Sequence, residues 1–216
     1  MAARLWQELK RARRTLRHAV LPHDKIYTRD YYAADVEEGA VRSAAVMARS
    51  IFAWAKPQTV IDVGCGTGSL LEAFGKLGCD GRGLEYSQAG LDYCRRRGLA
   101  VQKFNIEKDS LADDARCDLA VSFEVAEHLP ARSAGRYAAL LCGLSPRVVM
   151  SAATPGQGGR GHLNEQPHAY WIEKLAGHGL RFDAATSRRF ADEWKAAGAS
   201  HWYCDNVMAF ARGGAS

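Results

Sequence analysis

The residues whose types could do chemistry fall in four places along the 216-residue chain. The first is Gly64-Cys65-Gly66-Thr67-Gly68, which follows the apolar run Val60-Ile61-Asp62-Val63. Glycines in such a turn let backbone approach a ligand where a Cβ would collide or forbid the needed φ. The second is Glu85, 17 residues after Gly68. A carboxylate there can accept from both hydroxyls of a ribose, each charge-assisted bond contributing about 1.5–3 kcal/mol. The third is His128, whose near-neutral pKa suits the removal of a proton from a reacting group. The fourth is His162-Leu163-Asn164-Glu165-Gln166-Pro167-His168-Ala169-Tyr170-Trp171, preceded by the glycine-rich stretch 154–159. It offers donors, acceptors and aromatic faces to a polar acceptor.

Elements at regular spacing must position these groups. Apolar runs at 59–63, 81–85, 100–104, 118–123, 147–152 and 206–210 read as strands. Helical patterns fill 36–54, 69–77, 87–97 and 131–142, with Ser87 as an N-cap and Gly98 as a stop. Strands alternating with helices predict an α/β fold, a mostly parallel sheet with helices on both faces. Ligands in such sheets bind at the carboxyl ends of the strands, near the switch in strand order. The glycine loop, Glu85 and His128 all follow predicted strands, so they share that edge. The chain reads as a single domain. Residues 1–54 form a helical extension, 55–155 a ligand-binding core, and 156–216 an acceptor-side region with the last strands.

The glycine spacing is Gly-x-Gly-x-Gly, with Asp62 two residues ahead of it. It lacks the Lys-Ser/Thr pair of a P-loop and departs from the Gly-x-Gly-x-x-Gly dinucleotide fingerprint. The segment resembles motif I of the class I S-adenosylmethionine-dependent methyltransferases, Asp-x-Gly-x-Gly-x-Gly. Glu124-Val125-Ala126-Glu127-His128-Leu129 resembles a stretch of the branch that includes the ubiquinone-pathway O-methyltransferases and related small-molecule enzymes. The resemblance covers about residues 58–155. It implies a Rossmann-like seven-stranded sheet, S-adenosylmethionine as cofactor and S-adenosylhomocysteine as product. It implies cofactor contacts from Asp62, Gly64, Cys65, Gly66, Gly68, Glu85, Tyr86, Asn105, Ile106, Phe123 and Glu124. Asn105 stands where the family more often has an aspartate near the adenine amine.

On this reading His128 is the candidate base. Tyr27, Tyr32, His162, Asn164, Gln166, His168 and Tyr170 are the candidate acceptor contacts. Trp202 and Tyr203 are candidates to line the same pocket. A metal set of His162, Glu165 and His168 is weighed and set aside, so no metal centre is expected. The expected activity is methyl transfer to an oxygen or nitrogen of a small polar acceptor, a sugar or natural-product intermediate among them. The alternatives are a methyltransferase acting on RNA or protein, and a cofactor-binding protein without turnover.

Composition bounds these readings. The net charge of +5 belongs to the first 18 residues, where Arg4, Lys10, Arg11, Arg13, Arg14 and Arg17 face Glu8 alone. The body is near neutral, which argues against nucleic acid as the partner. Residues 3–18 read as an amphipathic helix, able to lie on the body, cover the site or touch a membrane surface. No apolar run approaches the ~20 residues of a membrane helix, and no signal-peptide pattern opens the chain. Six cysteines without a Cys-x-x-Cys read as buried free thiols in a cytoplasmic protein.

Overall fold

The computed structural model describes residues 26–112 and 115–213. The expected helix at 3–18 lies outside them. After a one-turn helix, Arg29–Tyr31, and a π-helical turn, Tyr32–Val36, come α1 (Glu37–Ala55) and β1 (Thr59–Val63). The chain continues with α2 (Ser69–Gly75), β2 (Asp80–Glu85), α3 (Gln88–Arg96), β3 (Ala100–Lys103) and β4 (Leu119–Ser122). Next are α4 (Ala134–Leu144), β5 (Arg147–Met150), α5 (His168–Ala176) and β6 (Leu180–Phe182). Last are α6 (Ala184–Ala196), α7 (His201–Asn206) and β7 (Met208–Arg212).

The seven strands form one sheet in the order β3-β2-β1-β4-β5-β7-β6. Strands β1 to β5 pair in parallel, and β7 runs antiparallel to both β5 and β6. The expected Rossmann-like sheet is therefore present. The order reverses between β1 and β4, which opens a crevice at their carboxyl ends. Strand β4 is buried along its whole length, as a parallel strand covered on both faces must be.

Each face of the sheet carries a core. On one, Tyr137, Leu141, Trp171 and Leu175 from α4 and α5 pack on Val148, Met150 and Phe210. On the other, Met47, Ile51, Phe190 and Trp194 from α1 and α6 pack on Val60, Val121 and Val149. The Trp194 indole satisfies its N–H on Ser50 Oγ at 2.6 Å, so the ring's apolar area is buried without stranding a donor.

Ser87 caps α3, its Oγ accepting from Gly90 N, as the sequence predicts. The short strand β6 and helix α6 were not anticipated; three residues of strand leave no readable period. All six cysteines are buried and free. Among the described residues no helix is long and apolar enough to cross a membrane.

Candidate functional site

At the switch point lies a cavity of about 520 Å³. Its walls come from the carboxyl ends of β1, β2, β3 and β4, from the loop after β5, from α7, and from the segment Tyr27–Val36. A smaller cavity of about 80 Å³ adjoins it, lined by Asp62, Cys65 and Thr67 among others, with Gly64 and Gly66 on the wall of both.

One half of the large cavity is made of backbone and glycines. Gly64 has φ +76°, and a Cβ there would stand 2.5 Å from the Val125 side chain. Gly66 has φ +55°. Both positions demand glycine, for room in the first case and for backbone angle in both. Gly64 N donates to Leu84 O at 2.7 Å, which ties the loop to β2. Glu85 ends β2, buried, with Oε2 accepting from Gly66 N at 2.9 Å and Oε1 from Ser87 N at 2.7 Å. A carboxylate has about four acceptor positions, and these two N–H groups orient it toward the cavity that it lines. Burial raises the Glu85 pKa, and the N–H donors of Ser87 and Gly66 pull against it. Asp62, deeper on β1, is pushed up to about 8 by burial and by Glu85. Leu84, Phe104, Ile106, Val125 and Leu129 give this half its apolar wall. Asn105 lines it too, with its Oδ1 accepting from Glu107 N at 2.9 Å in a local turn.

The other half is made of side chains. Beyond β4, Glu124 has φ +54°, a left-handed angle that costs a non-glycine residue about 1–3 kcal/mol. Ser151 Oγ accepts from Glu124 N at 3.0 Å and donates to its Oε1 at 2.7 Å, which holds that geometry. A 3-10 turn, Ala126–His128, follows. The Glu127 carbonyl accepts from Leu163 N at 2.7 Å and Asn164 N at 3.0 Å. Those two bonds dock the loop after β5 and bring His162 beside His128, with ring centroids 5.0 Å apart. Glu165 staples the same loop: it accepts from Gly156 N at 2.9 Å and Gly158 N at 2.7 Å and pairs with His162 Nδ1 at 3.0 Å. Tyr27 packs edge-on against His128 at 5.6 Å and against Tyr31 at 5.3 Å.

Glu127 is fully buried, and among the described residues neither carboxylate oxygen has a hydrogen-bond partner within normal geometry. Burial and the Glu124 charge hold its pKa well above the usual carboxylate range. Ligand atoms of Glu127, His128 and His162 lie within 4.8 Å of one another. Two imidazoles and a carboxylate suit a zinc, iron or manganese ion, and Glu165 on His162 supplies the orienting outer contact such ligands use. This trio differs from the set weighed in the sequence.

The cavity wall gathers most of the predicted site. Gly64, Gly66, Glu85, Tyr86, Asn105, Ile106, Phe123, Glu124, His128, Tyr27, Tyr32 and His162 all line it, with Trp202 and Tyr203. Cys65 and Asp62 line the smaller cavity. Gly68 lines neither; it is the left-handed N-cap of α2. Asn164, Gln166, His168 and Tyr170 do not line the large cavity. Asn164 is buried and takes the Gln166 amide on its Oδ1 at 2.8 Å. His168 opens α5, and Tyr170 turns onto Trp171 at 5.0 Å and under Lys174. Sequence reasoning did not single out Glu127, Arg160 or His201, and it named Ser87 only as a cap and Gln157 only within the stretch 154–159. The signal for Glu127 was a carboxylate beside His128 in a stretch otherwise destined for burial.

The cavity fits S-adenosylmethionine: a left-handed glycine loop, a buried acid at the end of β2, and an apolar wall beyond it. Comparison with known proteins agrees. A methyltransferase-domain family matches residues 32–199. A ubiquinone biosynthesis O-methyltransferase of Methylococcus capsulatus is 38% identical over 76 residues, 32% of this chain and 32% of the relative. That of Alkalilimnicola ehrlichii is 31% identical over 77 residues, 33% of this chain and 31% of the relative. The match thus spans about a third of the length of these curated relatives. Streptomyces venezuelae DesVI superposes with a TM-score of 0.62 at 17% identity, over 89% of this chain and 99% of that one. Magnesium protoporphyrin IX methyltransferase from Synechocystis PCC 6803, solved with bound SAH (S-adenosylhomocysteine), gives 0.61 at 15%, over 88% and 100%. At such identities the likeness shows the fold alone. With its family matched over residues 32–199 and its cofactor cradle in place, the chain belongs to the class I S-adenosylmethionine-dependent methyltransferases.

Proposed function

We propose that the chain transfers a methyl group to an oxygen or nitrogen of a small polar acceptor. The observation that carries this reading is the continuity of one cavity, with Glu85 and the glycine loop on one wall and His128 and His162 on another. When bound, S-adenosylmethionine supplies a sulfonium methyl that a nucleophile can take. Gly64, Gly66 and Glu85 would hold it, with Asn105 and Ile106 along the apolar wall. His128 takes the acceptor's proton at Nε2, since Nδ1 is buried; a placed base gives roughly 10²–10⁴-fold. Burial, with Tyr31 adding to it, raises the Tyr27 pKa, so its phenol stays protonated as a donor at neutral pH. The enclosing segment Tyr27–Val36 limits the acceptor to something that fits beneath it, which favours a small molecule over RNA or protein.

A second reading of the same residues rests on the trio Glu127, His128 and His162. A divalent cation held there would act as a Lewis acid toward an acceptor oxygen and replace His128 as base. A panel of small hydroxylated and amino compounds, scored by S-adenosylhomocysteine formation with and without EDTA, tests both readings. Turnover that survives EDTA supports the base. Turnover abolished by EDTA and restored by manganese supports the cation. No product from any compound, alongside label transfer to RNA or protein, would overturn the small-molecule reading.

A further inference from the structure

Two thiols sit against each other beneath the cofactor loop. Cys65 lies between Gly64 and Gly66, and Cys94 lies on the inner face of α3. Their sulfurs are 3.7 Å apart, and Cys94 is fully buried. Two glycines leave room for them. A Cβ on Gly83 would stand 2.5 Å from Cys65 Sγ, and one on Gly68 would stand 2.9 Å from Cys94 Sγ. Cys65 also borders the smaller cavity with Thr67 and Asp62, which adjoins the cofactor cavity. A small polar oxidant therefore has a route to Cys65, whereas Cys94 lines neither cavity.

We propose that Cys65 and Cys94 form a reversible disulfide under hydrogen peroxide, and that this bond releases the cofactor. The Cys65 thiolate attacks one peroxide oxygen; the O–O bond breaks, and the departing hydroxide leaves as water. Cys65 is then a sulfenic acid. The Cys94 sulfur attacks the Cys65 sulfur, the S–S bond forms and a second water leaves. The two thiols lose two electrons and two protons, and the peroxide takes them up. The neighbouring Cys94 thiol and burial raise the Cys65 pKa, which leaves little thiolate and makes the first step slow.

The consequence for the site follows from distance. An S–S bond is about 2.05 Å long, so the sulfurs must close by about 1.6 Å from 3.7 Å. Cys65 sits in a loop whose backbone is tied to β2. Its neighbour Gly66 donates its N–H to Glu85 at 2.9 Å, and Cys65 N itself bonds Leu84 O at 3.3 Å. Pulling the loop toward α3 takes the Gly66 N–H away from the carboxylate it braces.

Peroxide titration of the full chain, with thiol counting, mass mapping of the cross-linked peptides and calorimetry with S-adenosylhomocysteine, tests this directly. The expected result is loss of two of the six thiols, a Cys65–Cys94 cross-link, and at least a tenfold loss of affinity that dithiothreitol reverses. Prior addition of S-adenosylhomocysteine slows the cross-link. Cys94→Ala, which removes the partner sulfur and with it one weak thiol contact to Gly66 O at 3.4 Å, keeps its own starting affinity through the same treatment. A cross-link that leaves affinity unchanged, no cross-link at peroxide levels that oxidise other thiols, or an equal loss in Cys94→Ala would each overturn the proposal. None of these readouts needs turnover, so failure of the proposed methyl transfer is distinguishable from failure here.

Discussion

The two halves of the cavity are built from different materials. The cofactor half relies on backbone: left-handed glycines, N–H groups of Gly66 and Ser87 on one buried carboxylate, and a capped helix behind them. The other half relies on side chains from loops far apart in sequence, with Glu127 buried and its oxygens unpartnered among the described residues. Backbone cradles recognise what every member of a fold family shares, while side-chain clusters carry what each does differently. One half should therefore fail in binding and the other in turnover.

The largest effect should come from the acceptor half. His128→Ala should lower turnover about 10²–10⁴-fold, the range for losing a placed base, and leave S-adenosylhomocysteine affinity within about twofold. Wild-type turnover from roughly pH 6 to 9, where a histidine titrates, would sink the base assignment. Next, Glu85→Ala should weaken S-adenosylhomocysteine by about 10- to 100-fold, as one to two charge-assisted bonds imply. An unchanged calorimetric affinity would remove Glu85 from the site.

A smaller effect belongs to the covering segment. The Tyr32 hydroxyl meets Ser87 Oγ at 2.9 Å and so fastens that segment to the cofactor floor. Tyr32→Phe loses a neutral hydrogen bond, about 0.5–1.5 kcal/mol, and should weaken cofactor binding two- to tenfold; no change would show that the segment is held by packing alone. The last prediction concerns stability. Asp62 rises from an unfolded value near 3.9 to about 8 on folding. Between those values the folded state binds the extra proton, so stability falls as pH rises through that window. The urea midpoint of the ligand-free wild type should drop between about pH 5 and 8, and Asp62→Asn should flatten the drop. Equal slopes would place Asp62 in a less desolvated setting.

The same contrast explains what the sequence disclosed. The places of Gly64, Gly66 and Glu85 on the cavity wall were legible because φ, room and spacing are local properties. Ser87 was legible as a cap for the same reason. Asn164, Gln166, His168 and Tyr170, expected as acceptor contacts, lie off the cavity wall, because residue type does not reveal facing. The bonds from the Glu127 carbonyl to Leu163 N and Asn164 N bury Asn164. The start of α5 at His168 swings Tyr170 onto Trp171. Glu127 passed without a role because its importance appears only when His162, 35 residues on, folds back to it.

The most direct test follows a radiolabelled methyl group from S-adenosylmethionine into a size-fractionated lysate of the source organism, with His128→Ala in parallel. The predicted result is label in the small-molecule fraction with wild type and its near absence with the variant. Label on RNA or protein, or equal labelling by both proteins, would contradict a small-acceptor site built around His128.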